Sequence, residues 1–76
     1  MFEFASEGKF VIEGRGEAYM TTSPVTCDRT LEAFIGAING PIVKIDGNEH
    51  EISGVEMFMP GSKLQIGEKI SILVKT

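Results

Sequence analysis

The sequence has few of the residues on which most catalytic and structural sites depend. Its 76 residues include one histidine, one cysteine and no tryptophan, and the seven basic side chains are scattered rather than grouped. A single cysteine excludes an internal disulfide and favours a reducing compartment. One histidine without a cysteine cluster excludes the common zinc sites. No basic stripe of the kind that binds nucleic acids is present.

Long apolar runs are also missing. No stretch approaches the roughly 20 apolar residues that cross a bilayer. Residues 1–5 lack the basic leader and the apolar run of a secretion signal. We therefore expect a cytoplasmic location and no contact with a membrane. The net charge of −4 favours a protein partner over RNA.

The composition is that of one small globular domain spanning residues 1–76. Hydrophobic residues make up 42% of the chain and charged residues 24%, and the apolar residues are spread along its whole length, which argues against disorder. A domain of this size buries only about 60% of the surface of its unfolded chain. We therefore expect a thin core.

Several segments alternate in the manner of strands. The alternation in residues 9–20 predicts one half-buried strand with Gly14 and Gly16 at bends, and its apolar face consists of Phe10, Ile12, Ala18 and Met20. Asp46-Gly47 predicts a hairpin between residues 41–45 and 48–52, because a type I′ turn needs positive φ at both central positions.

Two features complete the strand pattern. The phase of the alternation changes at Ser53-Gly54, which predicts a β-bulge. Residues 70–74 alternate again and predict a final strand.

One segment changes to the helical period. An apolar stripe at the i, i+3, i+4, i+7 spacing is formed by Leu31, Phe34, Ile35 and Ile38. Asp28 is suited to the N-cap, and Asn39-Gly40-Pro41 is a strong stop signal. We predict one short helix near residues 29–38.

Three segments, in this order, resemble the β-barrel second domain of translation GTPases such as elongation factor Tu. They are Phe-Val-Ile-Glu-Gly-Arg-Gly-Glu-Ala at 10–18, Gly-Val-Glu-Met-Phe at 54–58 and Ile-Gly-Glu-Lys-Ile-Ser-Ile-Leu-Val at 66–74. The resemblance covers roughly the first and last thirds of the chain. It implies a mainly β fold, a small closed or partly open antiparallel β-barrel with one short helix, here without the GTPase.

In that family the barrel helps to hold the acceptor end of aminoacyl-tRNA and packs on the GTPase domain. The resemblance implies that Glu56 borders a terminal adenosine, that Leu73 lines the same pocket and that Arg15 faces a neighbouring domain. Phe58 and Lys69 differ from the polar residues of the family at the matching positions. We therefore do not expect this chain to carry aminoacyl-tRNA.

The alternation itself indicates a candidate contact surface. If Val55 and Met57 point inward, then Glu56 and Phe58 point outward, and Leu73 does the same in the last strand. Together with Arg15 these three side chains are the candidate partner contacts. The alternative, favoured by the apolar stripe of the helix, is that the helix covers this face.

We predict a non-enzymatic binding module without a cofactor, whose partner is a protein, with a homodimer as one form. The alternative is an RNA- or ribosome-associated module that retains part of an adenosine-contacting surface. A third hypothesis is an enzyme with Cys27 as nucleophile and His50 as base. Its only support is that a helix N-terminus lowers a thiol pKa.

Overall fold

The computed structural model describes residues 1–75, which form eight strands and one short helix, as the mainly β prediction requires. The elements in chain order are β1 (Phe2–Phe4), β2 (Gly8–Ile12), β3 (Gly16–Thr22), β4 (Cys27–Asp28), α1 (Leu31–Ile38), β5 (Ile42–Ile45), β6 (Asn48–Met57), β7 (Lys63–Leu64) and β8 (Lys69–Val74).

Six strands form one sheet in the order β1-β5-β6-β8-β3-β2, and β4 and β7 form a separate ribbon. All neighbouring strands are antiparallel except β1 and β5, which are parallel. The two end strands, β1 and β2, follow each other in the chain and are joined by residues 5–7, but they do not pair. Within the described residues the sheet is not closed, so the predicted barrel is not confirmed.

The prediction of one strand over residues 9–20 is wrong, because the chain reverses at residues 13–15. The Arg15 N–H donates to the Ile12 carbonyl at 3.0 Å, and Gly14 has a φ of 79° at the position where a type II turn requires a positive value. β2 and β3 then pair as a hairpin, with Phe10 opposite Ala18. The predicted apolar face occupies even-numbered positions in both β2 and β3, so the sequence pattern continues through the turn without a break.

The predicted helix is confirmed, but its N-cap is Thr30 rather than Asp28. The Thr30 hydroxyl accepts the Ala33 N–H at 3.1 Å and satisfies one of the free donors of the first turn. Asp28 lies in β4, where its carboxylate pairs with Lys63 at 2.5 Å. At the other end Asn39 adopts a left-handed conformation with a φ of 57°, in agreement with the predicted stop.

The predicted hairpin and bulge are both present. Asp46 and Gly47 have φ values of 52° and 87° between β5 and β6, as a type I′ turn needs. The register of β6 against β8 shifts between Ile52 and Gly54. After the shift, residues of the opposite parity in β6 point to a given face of the sheet, which is the effect of a β-bulge.

The core lies on one face of the sheet, here called the inner face, and α1 packs against it. Its buried cluster consists of Phe4, Tyr19, Phe34, Ile38, Val43, Ile45, Ile52, Leu64, Ile70, Ile72 and Val74. Phe34 fixes the helix, because its ring is fully buried and stacks on Phe4 with 6.4 Å between the centroids. Ala18 and Leu73 are also buried but lie outside this cluster.

Candidate functional site

The candidate site lies on the opposite side of the sheet from the core. Residues directly opposite each other in paired strands share a face. The pairing therefore defines a second face, here called the outer face, from two rows across β2, β3, β8 and β6: Phe10, Ala18, Leu73 and Gly54, and Gly8, Met20, Ser71 and Glu56.

Leu73 points to the outer face, but it is not the exposed side chain that the alternation predicted. It is only 3% exposed. Its neighbours in the row, Ala18 and Gly54, are small, and a Cβ at position 54 would lie 3.7 Å from the Leu73 Cβ. Leu73 is therefore a buried residue of this face and offers no exposed contact, so its prediction as a partner contact is wrong.

Two phenylalanines provide the exposed apolar area. Phe58 follows the end of β6 and is 54% exposed, as predicted. Phe10 in β2 is also 54% exposed, although the sequence placed it on the buried face of a strand. Half-buried Met20 lies in the row beside Phe10. The sequence contained little indication that Phe10 is exposed, because its exposure depends on β2 being an end strand, which the order of strands in the sheet determines.

Two of the candidate contact residues, Arg15 and Glu56, lie beside each other, a contact that the sequence did not predict. The Arg15 guanidinium lies 3.5 Å from the Glu56 carboxylate, with both side chains well exposed. Arg15 comes from the turn between β2 and β3, whereas Glu56 stands in β6 next to Ser71. A charged pair thus accompanies the apolar residues of the outer face. Such an exposed pair contributes little to stability, typically about 0–1 kcal/mol.

The helix does not cover the outer face, which contradicts the alternative favoured by its apolar stripe. Phe34 and Ile38 belong to the cluster on the inner face, together with Ile70, Ile72 and Val74. The apolar stripe of α1 is therefore buried against the inner face, where it shields the core of the open sheet from solvent. The side chains of Phe10 and Phe58 remain accessible.

The charges of the chain are largely paired locally. Within residues 1–75, every basic side chain except Lys44 lies in an ion pair with a carboxylate. Lys9 is one example: its ammonium lies 2.7 Å from Glu17, and this hydrogen bond lowers the pKa of the Glu17 carboxyl. Little positive charge is left free for phosphate groups.

The Cys27 and His50 pair lacks the features of a nucleophile and its base. Cys27 lies in β4, outside the helix, and burial raises the pKa of its thiol, with a further contribution from Asp28. The thiolate, which is the reactive form, is therefore disfavoured. His50 is partly buried in β6, as predicted, and its ring contacts Tyr19 at 5.3 Å between centroids.

A concave region of about 670 Å³ lies beside the segments that join β6 to β7 and β7 to β8. It is built on a bidentate ion pair in which the Arg29 guanidinium donates to both oxygens of Glu68 at 2.7 and 2.8 Å. Both side chains are nearly buried, at 14% and 10% exposure. Because Glu68 occupies the two terminal nitrogens, this arginine serves to brace the loop rather than to bind an anion.

Among residues 1–75, no group of three histidine, cysteine or carboxylate side chains is arranged to hold a metal ion. The one helix of this part of the chain is too short to cross a membrane.

Comparisons with protein-family models, with curated proteins and with solved structures found no match to this chain. The resemblance to the second domain of translation GTPases therefore stays a prediction.

Proposed function

We propose that this chain is a non-enzymatic module that binds another protein through the outer face of its sheet. The observation that carries the proposal is the position of the helix. Since α1 packs on the inner face, it leaves Phe10 in the sheet and Phe58 after β6 accessible, and each is 54% exposed. Large exposed aromatic side chains on a small domain are candidates for contact with a partner.

The chemistry of the outer face fits a protein partner. Aromatic side chains and arginine are enriched in the centres of protein interfaces, and the exposed Arg15–Glu56 pair supplies one group of each charge. A partner can replace either half of this pair with its own charged group. Leu73 and Ala18 lie between these groups in the sheet and are buried, so the contact rests on the two phenylalanines and the charged pair.

We further propose that the sheet is the partly open barrel that the family resemblance implies. The proposal is supported by the positions of β1 and β2. They are the two end strands of the sheet, and only residues 5–7 separate them in the chain. The Thr21 hydroxyl donates to the Ala5 carbonyl at 3.1 Å and ties this connection to β3. An RNA-binding role has less support, because nearly all basic groups of residues 1–75 are paired with carboxylates.

The test is capture from a lysate of the native source with the unchanged chain and three variants. Phe58→Ser and Phe10→Ser remove apolar area from the outer face. Ile66→Ser is the matched control, because Ile66 is 69% exposed but lines the concave region beside Arg29. We expect specific partners to be lost with the two phenylalanine variants and kept with the control.

Nuclease treatment and circular dichroism complete the design. Partners that survive nuclease and depend on Phe10 and Phe58 support the proposal, provided that the variants remain folded. Equal capture by all three variants and the unchanged chain would contradict it, and so would partners that disappear with nuclease.

A further inference from the structure

We propose that the free edge of β2 pairs with the β2 edge of a second copy of this chain, to form a symmetric antiparallel dimer. This association uses the backbone edge of β2, whereas the proposed docking uses the outer face. Phe10 contributes to both, but Phe58 belongs only to the docking surface and Glu13 only to the dimer, so variants at these two positions tell the two proposals apart.

The first argument is that β2 is an exposed and apolar edge. It stands at one end of the sheet order and pairs only with β3 among the described strands. An end strand presents N–H and C=O groups that can form a ladder with another chain. Val11 is 78% exposed and Phe10 is 54% exposed, so the edge carries apolar side chains as well as backbone groups.

The second argument is that proteins usually protect such an edge, and this one has little protection. Common devices are prolines, bulges and charged residues along the strand. Residues 8–12 read Gly-Lys-Phe-Val-Ile and contain no proline and one charge. That charge, on Lys9, is already paired with Glu17 at 2.7 Å.

The third argument, which selects a second copy as the occupant, is charge complementarity in one register. If two β2 strands pair antiparallel with Val11 on the twofold axis, Lys9 of each copy stands opposite Glu13 of the other. Glu13 follows the strand and makes no ion pair within residues 1–75. The lysine then lies between two carboxylates.

The same register also matches the apolar residues. Phe10 of each copy stands opposite Ile12 of the other, and the two Val11 side chains face each other. Aromatic and β-branched residues form favourable cross-strand pairs. Moving the axis to Phe10 would instead place Lys9 opposite Val11, and the charge match would be lost. A twofold axis repeats each contact, as expected for an isologous dimer.

The first test is sedimentation equilibrium from about 10 µM to about 1 mM with charge-exchange variants. We expect the unchanged chain to dimerise. Glu13→Lys creates two like-charge pairs across the axis and should weaken the dimer about tenfold. The double variant Lys9→Glu with Glu13→Lys should restore association. An unchanged chain that stays monomeric throughout this range overturns the proposal, as does a Glu13→Lys variant that dimerises equally well.

The second test fixes the register by disulfide trapping in a Cys27→Ser background. Paired Val11 residues have Cα atoms about 4.5–5.5 Å apart, within the range that a disulfide spans. The two Phe10 residues would be about 8 Å apart, beyond that range. Val11→Cys should therefore cross-link under mild oxidation much faster than Phe10→Cys. Faster trapping through position 10 contradicts this register.

Discussion

The assignment of the inner and outer faces of the sheet can be tested by removing one phenylalanine ring from each face. Phe34 and Phe10 have the same side chain, but Phe34 is fully buried between α1 and the sheet, whereas Phe10 is 54% exposed in the end strand β2. We expect Phe34→Ala to cost about 3–5 kcal/mol, because it removes a buried ring and leaves a cavity between α1 and the sheet.

The cost of Phe10→Ala should be much smaller. Full burial of a phenylalanine is worth about 1.5–3 kcal/mol, and Phe10 is about half-buried, so its removal should cost roughly 1 kcal/mol. Solvent can occupy the vacated space, and no closed cavity forms. The whole domain should have a free energy of unfolding of about 4–11 kcal/mol at the usual value per residue. Phe34→Ala would therefore remove a large part of it.

The assay is urea unfolding followed by far-ultraviolet circular dichroism, since the chain has no tryptophan. The free energy of unfolding is obtained by linear extrapolation for each variant. Equal losses for Phe34→Ala and Phe10→Ala would refute the assignment of the two faces. A loss below about 1 kcal/mol for Phe34→Ala would show that the helix does not anchor the core in this way.

Three further predictions concern local features. Arg29 lowers the pKa of the Glu68 carboxyl through their hydrogen bonds, so this pair stabilises the fold above the ordinary glutamate pKa of about 4.3 and the stability is lost as pH falls. Glu68→Gln should therefore reduce the loss of stability between roughly pH 5 and pH 3, measured by urea unfolding at each pH. Thr30→Ala removes the N-cap and should lower the free energy of unfolding by about 1 kcal/mol, whereas Thr30→Ser should leave it nearly unchanged. Gly47→Ala places a side chain at a φ of 87° and should lower the melting temperature, while Gly36→Ala, in open space on the helix, should raise it.

The elements with strong local signals could be predicted from the sequence. The stripe that contains Phe34 and Ile38 identified α1, and Asp46-Gly47 identified the hairpin between β5 and β6, because the causes of both structures lie within a few residues. The bulge before Gly54 was equally local. These signals depend on side-chain spacing and turn conformation, which neighbouring residues determine.

The errors arose where distant segments decide the outcome. The turn at Gly14 was missed because the alternation has the same phase on both sides of it. The burial of Leu73 and the exposure of Phe10 depend on the order of strands in the sheet, which alternation does not contain. The Arg29–Glu68 pair joins residues far apart in sequence, and no local pattern indicated it.

The candidate site was predicted in part. The outward position of Phe58 was predicted, whereas the contact between Arg15 and Glu56 was not. The missing information was the position of the helix, because an apolar stripe shows that a helix must pack but not on which face of a sheet. Phe10 became part of the outer face only through its pairing with Ala18.

The most direct test of the account is the relaxation of phenylalanine ring protons by a soluble paramagnetic probe, measured by nuclear magnetic resonance on the free chain. The probe relaxes protons that solvent can approach. We predict strong relaxation of the Phe10 and Phe58 rings and almost none of the buried Phe34 ring. Protection of Phe10 and Phe58 to the same extent as Phe34 would contradict the account, because it would mean that the outer face is covered.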